Sequence, residues 1–363
     1  MPSNQRKLRV ALIGQGFMGK AHSNAFNQAG RFFEIPFELE RKVICGRDPE
    51  RLASMASQWG WAETATDWRS IVDRKDIDVV DIATPNALHA PIAIAAAEAG
   101  KIVLCEKPLA RTCKEAGDMA AAAKSVRTMV WFNYRRVPAI AFAKRLIDEG
   151  RLGRIFHYRA TYLQQWGSDP SRVSAWKLDQ EQAGSGVTGD LLSHLLDTAL
   201  WLNGPIAELS AAQHTFTPGR TVDDACMLLA RFENGSVGTF EATRYAMGCR
   251  NRKTFEIHGS LASVRFDLEN LNYLEVMDST EPAPMQGFRK ILVTGPGHPY
   301  SDQFWKPGHP IGYEHTFIAA LADFLQALGN GTPFQPDFED GQRVQLLLDA
   351  VERSAREGSW RRL

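Results

Sequence analysis

Val10-Ala11-Leu12-Ile13-Gly14-Gln15-Gly16-Phe17-Met18-Gly19-Lys20-Ala21-His22 is the stretch on which the fold turns. A short apolar run passes directly into Gly-x-Gly-x-x-Gly and then into a segment of helical composition. Each glycine answers a different steric need. Gly14 makes the tight turn out of the strand, Gly16 lets backbone approach a pyrophosphate, and Gly19 allows the helix to pack closely on the strand. Phe17 and Met18 open the helix at whose N-terminus phosphates rest. The segment therefore predicts a dinucleotide site built on Gly14, Gly16, Phe17, Met18 and Gly19.

Outward from that turn, the first 130 residues alternate strand and helix signals, the pattern of a parallel sheet with helices on its faces. Strands are expected over 8–13, 42–45, 79–83, 102–105 and 128–132, and helices over 18–28, 49–59, 91–99 and 114–124. The connection 30–41, rich in Phe and Pro, reads as a long loop. After a helix at 139–149 the texture changes to longer alternating stretches at 155–164, 206–216, 225–232, 236–244, 254–258 and 263–267. These read as antiparallel strands, joined by helices at 190–202, 314–328 and 341–356. Asn234-Gly235 marks a hairpin, since it tolerates the positive φ angles of a tight turn. The expectation is an α/β protein: a Rossmann dinucleotide-binding domain over 1–135, then an α+β substrate and oligomerisation domain over 136–363.

Composition narrows the function. The 363 residues carry 42 basic and 42 acidic side chains without a long run of either sign, which argues against nucleic acid or a membrane surface as partner. No apolar stretch approaches a membrane span, and the polar start shows no secretory signal, so a cytoplasmic location is expected. Five scattered cysteines include no Cys-x-x-Cys pair and read as reduced thiols, not as a disulfide or zinc framework.

Ligands of open α/β sheets bind beyond the carboxyl ends of the strands. Four segments fall there: the glycine turn, Cys45-Gly46-Arg47-Asp48, Thr84-Pro85-Asn86-Ala87-Leu88-His89, and Cys105-Glu106-Lys107-Pro108. Gly46 stands where an acidic residue would hold the ribose of NAD, and Arg47 would suit a 2′-phosphate, which tilts the reading towards NADP. Alternatively Arg47 is a solvated surface cation and Asp48 caps the next helix. Lys107, directly after a buried strand, is placed to meet a nicotinamide cleft and to act as acid or base.

Further on, Asp190 and His194 stand four apart on an expected helix, with Asp197 one turn beyond. A histidine flanked by carboxylates has the fixed tautomer that a general base needs. No third ligand of suitable spacing accompanies them, so no metal is expected. Tyr134 and Arg135, at the domain junction, either grip the substrate or brace the hinge. Tyr162, Gln164, Trp166, Trp176 and Lys177 form the polar-aromatic mixture that suits sugar faces and hydroxyls, and Tyr313 is a weaker member of the same set.

Taken together, Gly14–Gly19, Thr84-Pro85-Asn86-x-x-His89, Glu106-Lys107-Pro108 and Asp190-x-x-x-His194 resemble the glucose–fructose oxidoreductase / inositol dehydrogenase family, Gfo/Idh/MocA. The resemblance implies a second domain built on a large open, mainly antiparallel sheet whose outer face makes a dimer or tetramer contact. It implies that Lys107 contacts the reacting hydroxyl, that His194 is the acid/base, and that Asp190 holds a substrate hydroxyl or orients the histidine. Thr84, Pro85, Asn86, His89 and Glu106 would line the cofactor, with Asn133 near the nicotinamide. NAD-using relatives often carry an acidic residue where Gly46-Arg47 stands, so NAD and NADP both remain open.

The implied activity is hydride transfer between a ring hydroxyl of a pyranose or anhydrosugar and a nicotinamide cofactor. The same residues would also serve a glycosidase that oxidises, eliminates and re-reduces its sugar, including an anionic sugar such as a sulfosugar. A non-catalytic nucleotide-binding regulator would leave Lys107, Asp190 and His194 idle.

Overall fold

A computed structural model of the chain describes residues 6–169 and 176–363. The chain divides into two compact units, one running to Asn133 and taking in Tyr313–Gln345, the other comprising Tyr134–Gly312 and Leu346–Leu363. In order, the first stretch contains β1 (Arg6–Ile13), α1 (Phe17–Phe32), β2 (Phe37–Cys45), α2 (Pro49–Trp59), β3 (Glu63–Ala65) and α3 (Arg69–Val72). It continues through β4 (Val79–Ile82), α4 (His89–Glu98), β5 (Ile102–Cys105), α5 (Cys113–Ala122) and β6 (Thr128–Val130). Among the described residues, these strands form a parallel sheet in the order β3-β2-β1-β4-β5-β6, the doubly wound dinucleotide-binding arrangement. The reversal of strand order at β1 and β4 puts the glycine turn at the switch point, where such sheets bind ligands.

Why these residues make these elements is readable locally. The strand β4 is buried at every position, as a central parallel strand must be. Asp48 caps α2 by accepting from the Arg51 N–H at 3.1 Å, with Pro49 in the first turn. One expectation fails here. The 30–41 connection is no long loop, because β2 already begins at Phe37 and pairs with β1 along its length. Its mixed polar positions hid the strand, since the N-terminal half of β2 is only partly buried.

The second unit holds α6 (Pro138–Asp148), β7 (Ile155–Leu163), α7 (Gln180–Ala183), α8 (Ser193–Asn203), β8 (Ile206–His214), β9 (Ala225–Phe232) and β10 (Val237–Thr243). Then follow β11 (Arg252–Gly259), β12 (Ala262–Asp267), β13 (Tyr273–Asp278), β14 (Arg289–Leu292) and α9 (Ser301–Phe304). Two long helices, α10 (Tyr313–Asn330) and α11 (Phe338–Glu357), and the short β15 (Arg361–Arg362) close the chain. The second sheet runs β14-β13-β12-β11-β7-β10-β9-β8-β15, antiparallel throughout except for the parallel β7–β10 pair. Strand β9 alternates strictly from Met227, burying Leu228, Ala230 and Phe232 and exposing Met227, Leu229 and Arg231.

The compact units also differ from a continuous division at 135/136. Helix α10 returns to the first unit, where it packs against α1 with Phe317, Leu321, Phe324 and Leu325 buried. Among the described residues, no helix is long and apolar enough to cross a membrane.

Candidate functional site

In the first unit, the glycine turn is formed as its spacing demands. Gly14 has φ +135°, and a side chain there would collide with the Ala83 carbonyl, while one at Gly19 would collide with Gly14 itself. In front of Gly16 nothing lies within 4 Å, which leaves the backbone at the start of α1 open to a pyrophosphate. Phe17 is 68% exposed beside it and stacks on Tyr313, with ring centroids 6.3 Å apart. Met18 is half-buried. At the end of β4, the Thr84 hydroxyl is buried without a hydrogen-bond partner, an orphan suited to a ligand group. Pro85 and the buried Asn86 follow it on the same turn. An open glycine backbone and an orphaned hydroxyl fit a dinucleotide.

The end of β2 is arranged differently from the expectation. Gly46 does leave room, but the Gln15 side chain takes it, and a Cβ at 46 would run into the Gln15 carboxamide. Gln15 Oε1 accepts from the Asp48 N–H at 3.2 Å. Arg47 is exposed, and Asp48 is the helix cap already described. The tilt towards NADP drawn from Gly46 and Arg47 therefore loses its steric basis.

Glu106 and Lys107 emerge from β5 onto a cis Lys107–Pro108 peptide. Behind them lies a fully buried network. His22 places Nδ1 2.9 Å from Asp81 Oδ2 and Nε2 3.1 Å from Glu106 Oε1, while Trp131 Nε1 donates to Asp81 Oδ1 at 2.9 Å. The second Glu106 oxygen accepts from the Lys107 N–H at 2.9 Å. Burial opposes charge on His22, but Asp81 and Glu106 outweigh it and raise its pKa to about 9. His22 is thus an imidazolium at neutral pH, donating to both carboxylates.

His89 does not line a cleft. It is fully buried, and its Nδ1 and Nε2 lie 3.0 Å from the Pro108 carbonyl and 3.1 Å from that of Thr84, so it ties together the two turns that bracket the cofactor position. Burial lowers its pKa, and the carbonyls of Thr84, Pro108 and Leu109 offset this only in part. Asn133 is buried and donates from Nδ2 to Thr316 Oγ1 at 2.8 Å.

In the second unit, the expected uniform helix at 190–202 begins instead with a π turn over Thr188–Leu192 before α8. Such turns recur at functional sites because they re-aim one side chain relative to the α-helical face. Asp190 lies within this turn, and among the described residues its carboxylate meets Lys177 Nζ at 2.9 and 3.1 Å and a guanidinium nitrogen of the fully buried Arg244 at 3.1 Å. Arg244 lies 4.6 Å over the Trp166 ring, and Trp166 Nε1 donates to Gln164 Oε1 at 2.6 Å. Gln164 and Tyr162 both donate to Asn251 Oδ1, at 2.7 and 2.8 Å, and the Tyr134 hydroxyl is 3.0 Å from that of Tyr162. The Tyr134 and Tyr162 rings lie 4.7 and 5.9 Å from the His194 imidazole. Asp190 and His194 are therefore joined by a continuous polar-aromatic wall. Trp176, partly exposed next to Lys177, stands at its edge.

Arg135 is corrected from substrate contact to bracing. Its guanidinium pairs with Asp197 at 2.6–3.1 Å, with both side chains buried, and Asp197 stands one turn beyond His194 on α8 with this pairing on both its oxygens. Tyr313 falls in the first unit, where it stacks on Phe17. Sequence reasoning missed Gln15, His22, Arg244, Asn251 and Lys253. For two of them a signal existed. Arg244 continues the inward parity of Phe240 and Ala242, and Lys253 that of Phe255 and Ile257. A charge at an inward strand position needs a structural or functional reason. Among the described residues, no cluster of three or more His, Cys, Asp or Glu is placed to hold a metal.

Comparison with known proteins adds a second line of observation. The model of an oxidoreductase family with an NAD-binding Rossmann fold matches residues 8–134, and the GFO/IDH/MocA C-terminal domain matches 140–265. Levoglucosan dehydrogenase of Pseudarthrobacter phenanthrenivorans is 44% identical over 98% of both chains. A solved levoglucosan dehydrogenase in complex with NADH and levoglucosan superimposes with a TM-score of 0.96 at 46% identity, covering 99% of each chain. An oxidoreductase domain protein from Kribbella flavida superimposes with a TM-score of 0.95 at 47% identity over 98% of this chain and 99% of its own.

Proposed function

This chain belongs to the GFO/IDH/MocA oxidoreductase family and carries its NAD-binding Rossmann domain, and from that premise we propose that it oxidises a ring hydroxyl of a pyranose or anhydrosugar, with levoglucosan the leading substrate. The observation that carries the proposal is the wall from Asp190 through Arg244, Trp166, Gln164, Asn251 and the two tyrosines to His194. It alternates flat apolar surface with fixed hydrogen-bonding groups, the chemistry a sugar ring presents. Likeness to levoglucosan dehydrogenase along the full chain supports the anhydrosugar.

The glycine turn, Thr84 and Asn86 would hold NAD, which when bound supplies a hydride acceptor. We favour NAD over NADP because Gln15 fills the space at Gly46 that a 2′-phosphate would need. Lys107 would hold the reacting hydroxyl, with its backbone fixed by the Glu106 carboxylate. His194 would take the hydroxyl proton as hydride departs. Asp190, its charge clamped by Lys177 and Arg244, would accept from a neighbouring hydroxyl and set which carbon reacts.

The outer face of the second sheet exposes Met227, Leu229 and Val237 together with Trp360, more apolar than a solvent face requires, and this supports a homo-oligomer. The decisive experiment follows absorbance at 340 nm with NAD or NADP against a sugar panel containing levoglucosan, glucose and inositol. Steady reduction of NAD with a pyranose or anhydrosugar is expected. No reduction across the panel by protein that demonstrably binds NAD would refute the proposal, as would aglycone release from an aryl glycoside without net NADH.

A further inference from the structure

Strand β11 carries a lysine where its alternation calls for an apolar residue. Lys253 is 1% exposed, flanked in parity by the buried Phe255 and Ile257, and stands directly opposite Tyr162 in the β11–β7 register. Its Nζ donates to Thr198 Oγ1 at 2.8 Å, and Thr198 in turn donates to the His194 backbone carbonyl at 2.7 Å. The same Nζ lies 4.7 Å from the centroid of the Tyr134 ring, the ring that meets the His194 imidazole at 4.7 Å. Lys253 thus touches two groups that meet His194, Thr198 at its backbone and Tyr134 at its ring.

The surrounding charges do not explain the lysine as an ion-pair partner. The nearby carboxylate, Asp197 of α8, is already engaged by Arg135 through both oxygens. Among the described residues, Tyr134 lies against Lys253, His194 on α8 lies against Tyr134, and Tyr162 and Tyr158 stand on the neighbouring strand β7, all buried. Burial pulls the Lys253 pKa down to about 7, and Asp197 offsets this only in part. A lone cation in such a place costs stability that methionine would not.

We propose that Lys253 is a positioning residue for His194, holding the imidazole through Thr198 and Tyr134 and setting its proton affinity by the charge it carries. The proposal rests on the reading of His194 as the acid/base and goes one layer behind it. Protonated, Lys253 is a like charge across the Tyr134 ring from an imidazolium and disfavours it; deprotonated, it releases that constraint.

Two variants and two readouts test this. Lys253→Met removes charge and donor, and Lys253→Gln removes charge but can still donate to Thr198. In protein labelled at histidine, with His194→Gln for assignment, the His194 signal is followed by NMR against pH. Both variants should raise its titration midpoint by roughly half a pH unit, because a like charge has gone. Lys253→Met should lower kcat about tenfold through loss of alignment while sugar KM and NADH affinity stay within about twofold, and Lys253→Gln should recover part of kcat. An unchanged His194 titration together with an unchanged pH–rate profile would overturn the proposal and leave Lys253 as packing. Should Lys253→Met fail to fold, Lys253→Gln answers the same question by the same two readouts. If the wild type oxidises no sugar, the functional reading fails, yet the NMR titration still decides the coupling.

Discussion

Lys107, His194 and Asp190 have different supports, and variants should separate them. Lys107→Met removes the ammonium and leaves the backbone bond to Glu106 in place, so kcat should fall at least about a hundredfold with NADH affinity unchanged in a fluorescence titration. Arg244→Met takes one cation from Asp190 and empties the face over Trp166. It should raise sugar KM and lower kcat/KM roughly ten- to a hundredfold, measured as the split between the two constants, with cofactor binding untouched. At this scale the sequence was a mixed guide. The residues named for the wall, Tyr162, Gln164, Trp166 and Asp190, do meet, because their types were polar-aromatic and their strand and helix ends were legible. Arg135 misled, since a cation beside a tyrosine looks the same whether it faces a ligand or a buried Asp197 sixty-two residues away.

Elements that are buried and self-contained were the legible ones. β5 and α2 fall where composition puts them, since an apolar run ending at Cys105 and a capped helix after Asp48 need no distant partner. The start of β2, the edge strand β14 with its neighbour β13, and the π turn at Thr188–Leu192 were not legible. Edge and half-exposed strands lack alternation, and one extra residue in a helical turn leaves no mark in a 3.6-residue pattern. The element-scale prediction concerns His22 on α1. Its proton is bound more tightly folded than unfolded, so its contribution to stability is full below pH 6.5 and is lost as pH rises through about 9. Lys253 has the opposite sense, with a folded pKa near 7, below the unfolded value, so that stability recovers as pH climbs from 7 towards 10.5. Thermal midpoints should therefore fall more steeply between pH 6.5 and 9 in Lys253→Met than in wild type. Adding His22→Gln to that variant should flatten the curve, and an unchanged slope would refute the assignment of charge to His22.

For the whole molecule, the two-domain order was visible in the shift from strand–helix alternation to long alternating strands, but the return of Tyr313–Gln345 to the first unit was not. Nothing in a helix of mixed composition says which earlier surface it will cover. The exposed Met227, Leu229 and Val237 carry a prediction at this scale too. Replacing Leu229 with Glu should shift the mass by light scattering towards a single chain, whereas an unchanged mass would place the oligomer contact elsewhere.

The return of α10 bears on how the protein is born. Val130, on the last strand of the parallel sheet, donates its N–H to the Pro336 carbonyl, and Trp131 and His22 both lie against Phe317. A ribosome finishes the nucleotide-binding sheet long before it makes these covering residues, so the nascent sheet waits with an apolar flank uncovered while Tyr134–Gly312 is synthesised. An isolated fragment ending at residue 135 should accordingly aggregate on release, and supplying Tyr313–Gln345 behind a short linker should return it to solution.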